Sequence, residues 1–128
     1  MKVYDEILRH ARENPLAECC GLLGGRDGMI TRAFEAVNAA SDPTKSYEIA
    51  PVEIFKMMRE MRASGLELLG IYHSHPTGEN RPSARDIELA YYPETPYFII
   101  SALSEAKTPV LAFLVRDGHA TELEVQIL

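Results

Sequence analysis

The chain of 128 residues has no tryptophan and only two cysteines, Cys19 and Cys20, which are sequence neighbours. Adjacent cysteines cannot staple distant segments together, so no disulfide framework supports the fold and its stability must come from packing. Positive charge is also short: 13 lysines and arginines against 19 aspartates and glutamates leave a formal net charge of −6. No basic field gathers phosphates, which argues against a nucleic-acid partner and an anionic membrane surface. The longest uninterrupted apolar run is six residues, Val110 to Val115, against the ~20 that a membrane helix requires. Lys2 is followed by Asp5 and Glu6 rather than by an apolar stretch of the kind a secretion signal carries, so the expected location is the cytoplasm.

What remains is ordinary globular composition, 46% hydrophobic and 25% charged, which excludes disordered, collagenous and coiled-coil chains. The length suits one domain, residues 1–128, with enough apolar side chains for one core.

Val3, Ile7, Leu8 and Ala11 share a helical face over Lys2 to Asn14, and Asn14-Pro15 ends that helix. Glu18 to Leu23 reads as a strand, Gly24 to Gly28 as a turn, Met29 to Val37 as a second strand, and Asn38 to Lys45 as a loop. Ser46 to Ile49 is strand-like. Pro51 opens a helix that turns Val52, Phe55, Met58 and Met61 inward and ends at Gly65. Leu66 to His75 is apolar on both faces, as a central strand is. After the polar loop Pro76 to Pro82 comes a short helix from Ser83 to Tyr91 or Tyr92. Strands over Tyr97 to Leu103, Pro109 to Val115 and Thr121 to Ile127 follow, the first two too apolar for edges. The order predicts an α/β fold, a mixed sheet flanked by helices.

The chemistry concentrates at His73-Ser74-His75-Pro76. Side chains two apart on a strand point to the same side, about 7 Å apart at Cα, a workable separation for two imidazoles converging on one metal. Taken alone, the dipeptide is as compatible with two hydrogen-bonded histidines near a strand end. Asp86, in Ser83-Ala84-Arg85-Asp86, lies on a helix that returns over the strand end and is placed to add a carboxylate. Two imidazoles, one carboxylate and an open position make a catalytic zinc site, whereas a structural site closes with four protein ligands. Ser83 and Asp86 also fit a capping box, the commoner use of Ser-x-x-Asp, and the two readings are compatible. A hydrolytic site needs a general base. Glu18 is the leading candidate, at the head of an otherwise apolar or small-residue strand, but spacing does not separate it from Glu48, Glu53 or Glu79.

Glu18, then His73-Ser74-His75-Pro76, then Ser83-x-x-Asp86 with ten residues between His75 and Asp86, resembles the pattern of the JAMM (MPN+) zinc metalloproteases. Ala17 to Leu23, Val37-Asn38, Tyr47-Glu48-Ile49 and the helix after Pro51 extend the likeness to the stand-alone prokaryotic members. The resemblance implies an MPN/JAMM fold, a sandwich of cytidine-deaminase-like type. It implies that His73, His75 and Asp86 ligate Zn2+, that Glu18 is the general acid/base, and that Ser83 helps hold the oxyanion, while Ser74 has no implied role. The implied reaction is hydrolysis of a peptide or isopeptide bond after the C-terminal glycine of a ubiquitin-like, sulfur-carrier protein, with water as nucleophile.

Two other readings compete. A deaminase needs His-x-Glu and Pro-Cys-x-x-Cys, which are not present. A non-catalytic module recognising or scaffolding ubiquitin-like tails is opposed by the complete ligand set. Cys19 and Cys20 read as buried small residues facing opposite sides rather than as nucleophiles. His10 and His119 read as surface residues. Tyr91, Tyr92, Tyr97 and Phe98 read as core, with an aromatic wall for an extended substrate tail as the alternative.

Overall fold

In a computed structural model, residues 2–77 and 79–127 are described. Helix α1 (Lys2–Glu13) precedes the strands β1 (Cys20–Arg26) and β2 (Met29–Ala36). Helix α2 (Pro51–Ala63), strand β3 (Glu67–His75) and helix α3 (Ala84–Glu88) follow, and β4 (Tyr97–Ser101), β5 (Val110–Arg116) and β6 (His119–Leu123) complete the order. The six strands form one sheet in the order β2-β1-β3-β4-β5-β6. Only β3 and β4 run parallel; the other neighbours are antiparallel. The α/β expectation of a mixed sheet flanked by helices therefore holds, with β3 central and β4 and β5 interior.

The sheet is buried on two faces. On one, Cys20, Leu22, Ile71 and Tyr97 pack with Met57 and Met61 of α2 and with Ile87. On the other, Cys19, Leu23, Tyr72 and Ile100 pack with Ile7 and Ala11 of α1. The two cysteines do face opposite ways, as alternation along an extended chain requires.

Several boundaries differ from expectation for identifiable reasons. β1 runs on through Gly24 and Gly25, because a register shift between Leu23 and Gly24 on the β3 side and one between Gly24 and Gly25 on the β2 side absorb them. A Cβ at Gly25 would meet the Met29 carbonyl at 1.9 Å, so glycine is required there by close approach of the partner backbone. The turn itself is Asp27-Gly28, both at positive φ (52° and 75°), the pairing favoured in two-residue hairpins. Glu18 does not begin β1 but precedes it by two residues. Ser46 to Ile49 joins no strand, and β6 starts at His119 and ends at Leu123. Helix α3 stops at Glu88, leaving Tyr91 and Tyr92 exposed while Tyr97 is buried, so the core reading of that aromatic cluster fails for its first two members.

Helix α2 closes as expected at Gly65. The Gly65 N–H bonds the Arg62 carbonyl and the Leu66 N–H that of Met61, with Gly65 at φ 70°. Its buried face agrees in part: Met61 is inside as expected and Met58 packs against the core, but Met57 is buried as well, and Val52 and Phe55 are exposed. His10 is not a free surface group either; its Nδ1 lies 2.7 Å from the Tyr72 hydroxyl.

Candidate metal centre

The C-terminal end of β3 carries His73 and His75, both pointing to the α2 face of the sheet, 1% and 8% exposed. Pro76 ends the strand. The chain then returns as α3, whose first turn lies over the strand end. Ser83 caps α3: its hydroxyl accepts from the Asp86 N–H at 3.0 Å, and Asp86 Oδ2 accepts from the Ser83 N–H at 3.0 Å. The capping box fixes the carboxylate rather than competing with a role as ligand. Asp86 Oδ2 lies 3.0 Å from His75 Nε2 and 3.3 Å from His73 Nε2, and the two Nε2 atoms are 3.3 Å apart. The three atoms meet at one point.

The histidine rings are oriented differently. His75 Nδ1 lies 2.6 Å from the Glu79 carbonyl, to which it donates, so its Nε2 is turned to the centre. His73 Nδ1 is buried without a partner among the described residues, and the ring is held instead by Tyr47, stacked on it at 4.3 Å and 18°. Tyr47 was not singled out as a site residue from sequence: Tyr47-Glu48-Ile49 entered only as part of the family likeness, and stacking across 26 positions gives the residue no role that its neighbours in sequence reveal. Neither was Asn38, whose side-chain amide donates to the carbonyls of Glu18 and Ser46 and accepts from the N–H groups of Ala40 and Glu48.

Glu18 is 7% exposed and its Oε1 has no hydrogen-bonding partner among the described residues. Cys20 pairs with His73 across the β1–β3 ladder and the Ser74 N–H bonds the Cys19 carbonyl, so Glu18 lies alongside the end of β3 that carries His75. Burial pushes the Glu18 carboxyl up to about 7, with the neighbouring His75 lowering it and Asp86 raising it. Of the glutamates that spacing left equal, Glu48 is exposed and Glu53 binds the Val37 N–H, while Glu79 meets the cluster through its carbonyl. Burial also acts against charge on Asp86, but hydrogen bonds from His73 and His75 outweigh it and hold the carboxyl well below its usual range. Burial lowers His73. It acts in the same direction on His75, where the hydrogen bond to Asp86, the Glu79 carbonyl and the Asp86 charge reverse it and raise the group.

The donor set suits zinc: two imidazole nitrogens and one carboxylate oxygen lie within reach of one ion, and three protein ligands of these types are what catalytic zinc sites use. A buried convergence of two basic nitrogens on a carboxylate oxygen, next to a carboxylate without a partner, is costly unless a cation compensates it. His73, His75 and Asp86 fit that cation. The thiols do not enter: burial raises Cys19 and Cys20 to about 11 and about 12, and both remain protonated at neutral pH. His119 is exposed at the start of β6, away from any cluster of ligands among the described residues.

Comparison with known proteins agrees with this architecture. A desampylase from Haloferax volcanii is 39% identical over 103 residues, which cover 76% of this chain and 74% of that protein. The CysO-cysteine peptidase of Mycobacterium tuberculosis is 31% identical over 128 residues, covering 98% and 87%. A Desulfitobacterium hafniense protein solved in solution superposes with a TM-score of 0.85 at 38% identity, covering 96% of this chain and 86% of that one. The family described as prokaryotic homologs of the JAB domain matches residues 1–116, from α1 through the end of β5. The chain belongs to this family, the prokaryotic branch of the JAMM/MPN proteins.

Proposed function

We propose that the protein is a zinc-dependent peptidase of the cytoplasm, built on one domain over residues 1–128. It hydrolyses the peptide or isopeptide bond that follows the C-terminal glycine of a ubiquitin-like sulfur-carrier protein. The observation that carries the reading is the meeting of His73 Nε2, His75 Nε2 and Asp86 Oδ2 within 3.3 Å of one another, beside the buried Glu18, whose Oε1 has no partner among the described residues. The relatives named desampylase and CysO-cysteine peptidase support the substrate class.

His73, His75 and Asp86 hold the zinc. Zinc held there would supply a Lewis acid for the scissile carbonyl and would make the attacking water more acidic. Glu18 accepts the proton of the attacking water on its carboxylate and gives it to the leaving amine, a transfer suited to a group poised near neutrality. Ser83 uses one lone pair to cap α3 and keeps its O–H free to donate to the oxyanion that develops on the carbonyl. The Glu79 carbonyl and the Tyr47 ring hold the two imidazoles in register.

The test is elemental analysis of the untagged protein and of His75→Ala, followed by mass spectrometry of a ubiquitin-like protein extended beyond its C-terminal glycine. About one zinc per chain, lost in the variant, with cleavage after the glycine by wild type alone, is the expected result. A protein that takes up no zinc when it is supplied would instead be a binding module for such tails.

A further inference from the structure

Glu18 lies outside the sheet ladders, and nothing among the described residues holds its Oε1. Its aim is therefore set by its backbone. The Glu18 N–H donates to the Pro43 carbonyl at 2.8 Å, and its own carbonyl accepts from Asn38 Nδ2 at 3.0 Å. The next residue is fixed from β3: the Cys19 N–H donates to Ser74 Oγ at 2.8 Å, and the Ser74 N–H to the Cys19 carbonyl at 3.0 Å. Among the described residues, Asn38 is the one side chain that bonds Glu18 itself.

That grip is built rather than incidental. Asn38 uses its full hydrogen-bonding capacity, two donors and two acceptors. Nδ2 also reaches the Ser46 carbonyl at 2.9 Å, while Oδ1 accepts from the Ala40 and Glu48 N–H groups at 3.0 and 3.1 Å. Ser46 in turn accepts at Oγ from Arg85 Nε at 2.9 Å, and Arg85 is the neighbour of Asp86 on α3. One amide thus ties the Glu18 backbone to the segment that carries Tyr47, the ring stacked on His73, and through Ser46 to the helix that carries Asp86.

We propose that Asn38 is a positioning residue for hydrolysis, clamping the Glu18 carbonyl so that the carboxylate stays aimed at the His73–His75–Asp86 centre. The inference rests on the proposed acid/base role of Glu18. A displacement of about 1 Å at a reacting group costs about a hundredfold in rate, and this is the loss expected of kcat in zinc-loaded Asn38→Ala. KM and zinc content should stay within about twofold, since none of the three metal ligands bonds Asn38, and the Glu79 carbonyl on His75 and the Ser83 cap on Asp86 remain. Because Asn38 acts through Glu18, the same substitution in a Glu18→Gln background should change single-turnover rates by less than about twofold.

The metal-free protein gives a readout that does not depend on turnover. Asn38→Ala should shift the amide resonances of Glu18, Ala40 and Glu48 and leave those of His73 and His75 in place. Asn38→Asp keeps both acceptors but loses the donor to Glu18; it must reproduce the kcat loss and the non-additivity, and it serves where the alanine variant does not fold. An unchanged kcat, or an equal loss in the Glu18→Gln background, overturns the proposal, the latter making Asn38 mere support for its loop. Impaired Glu18→Gln beside intact Asn38→Ala removes Asn38 alone, whereas an unimpaired Glu18→Gln removes the role of Glu18 and Asn38 with it.

Discussion

The two faces of β3 carry polar side chains of similar burial and opposite character. Toward α1, Tyr72 and Ser74 are fully buried, and each has a partner: the Tyr72 hydroxyl meets His10, and Ser74 Oγ takes the Cys19 N–H. Toward α2, His73 and His75 crowd a carboxylate oxygen. His73 Nδ1 and Glu18 Oε1, the buried side-chain atoms without a partner among the described residues, both belong to this side. Buried polar groups are ordinarily satisfied, because leaving one unpaired costs about 1–3 kcal/mol. The α1 face uses polarity to fix the strand. The α2 face retains polarity that the described residues do not satisfy, the kind of local inconsistency that functional sites keep.

Removing a ligand breaks the comparison most completely. Asp86→Ala takes away the oxygen shared by both histidines and one half of the α3 capping box. Zinc content should fall to near zero and cleavage should vanish; retention of one zinc per chain would show that the metal sits elsewhere.

Glu18→Gln separates chemistry from metal. Zinc should stay bound while kcat falls by about 10²–10⁴-fold, the range for loss of a general acid/base. The same change should stabilise the metal-free protein, with a definite pH dependence. Burial raises the folded-state carboxyl from 4.5 to about 7. Below the unfolded value the group is protonated in both states and costs nothing, and as pH rises through 7 it must ionise while buried. The expected gain in urea unfolding is therefore roughly 2–3 kcal/mol near pH 8, vanishing near pH 4. A gain that grew toward acid would contradict the burial argument. In the zinc-loaded enzyme the cation favours the ionised form, so the acid limb of kcat/KM should lie at or below pH 7.

Ser83→Ala is a smaller change with two separable parts. Loss of the oxyanion donor should lower kcat by about 10²-fold, and loss of the helix cap should lower stability by about 1 kcal/mol. If only stability moved, Ser83 would be a cap and nothing more.

The meeting of His73, His75 and Asp86 could be expected from local signals, alternation along a strand and then a cap at a helix start, only with the family resemblance beside them, because each signal alone fits a commoner structural use. The site residues that went unread act over longer separations. Asn38 sits in a loop whose composition says only that it is a loop, and its role depends on bonds to Glu18, Ser46 and Glu48. Tyr47 meets His73, and Tyr72 meets His10 across 62 positions. The buried face of α2 was misread in part, for another reason. Val52, Ile54, Phe55, Met57, Met58 and Met61 surround the helix, so more than one apolar stripe satisfies the period, and packing on β3 selects the one through Met57 and Met61. Gly24 and Gly25 read as a turn because glycine so often is one. Here Gly25 lets the β2 backbone approach closely and Gly24 makes room for the Phe34 and Met61 side chains, requirements visible only once those neighbours are in place.

The smallest expected effect tests the satisfied face. Tyr72→Phe keeps the ring that packs between Cys19 and Ile100 and removes only the hydroxyl facing His10 Nδ1. His10 stays close to solvent, with a side chain 16% exposed, so water replaces part of the lost bond and the cost should be about 1 kcal/mol or less. Zinc content and kcat should not change, because the hydroxyl points to the opposite side of the sheet from the three ligand atoms. A large drop in kcat with stability preserved would mean that the α1 face communicates with the metal centre through β3. The contrast between a structural face and a functional one would then fail at the residue where it should be cleanest.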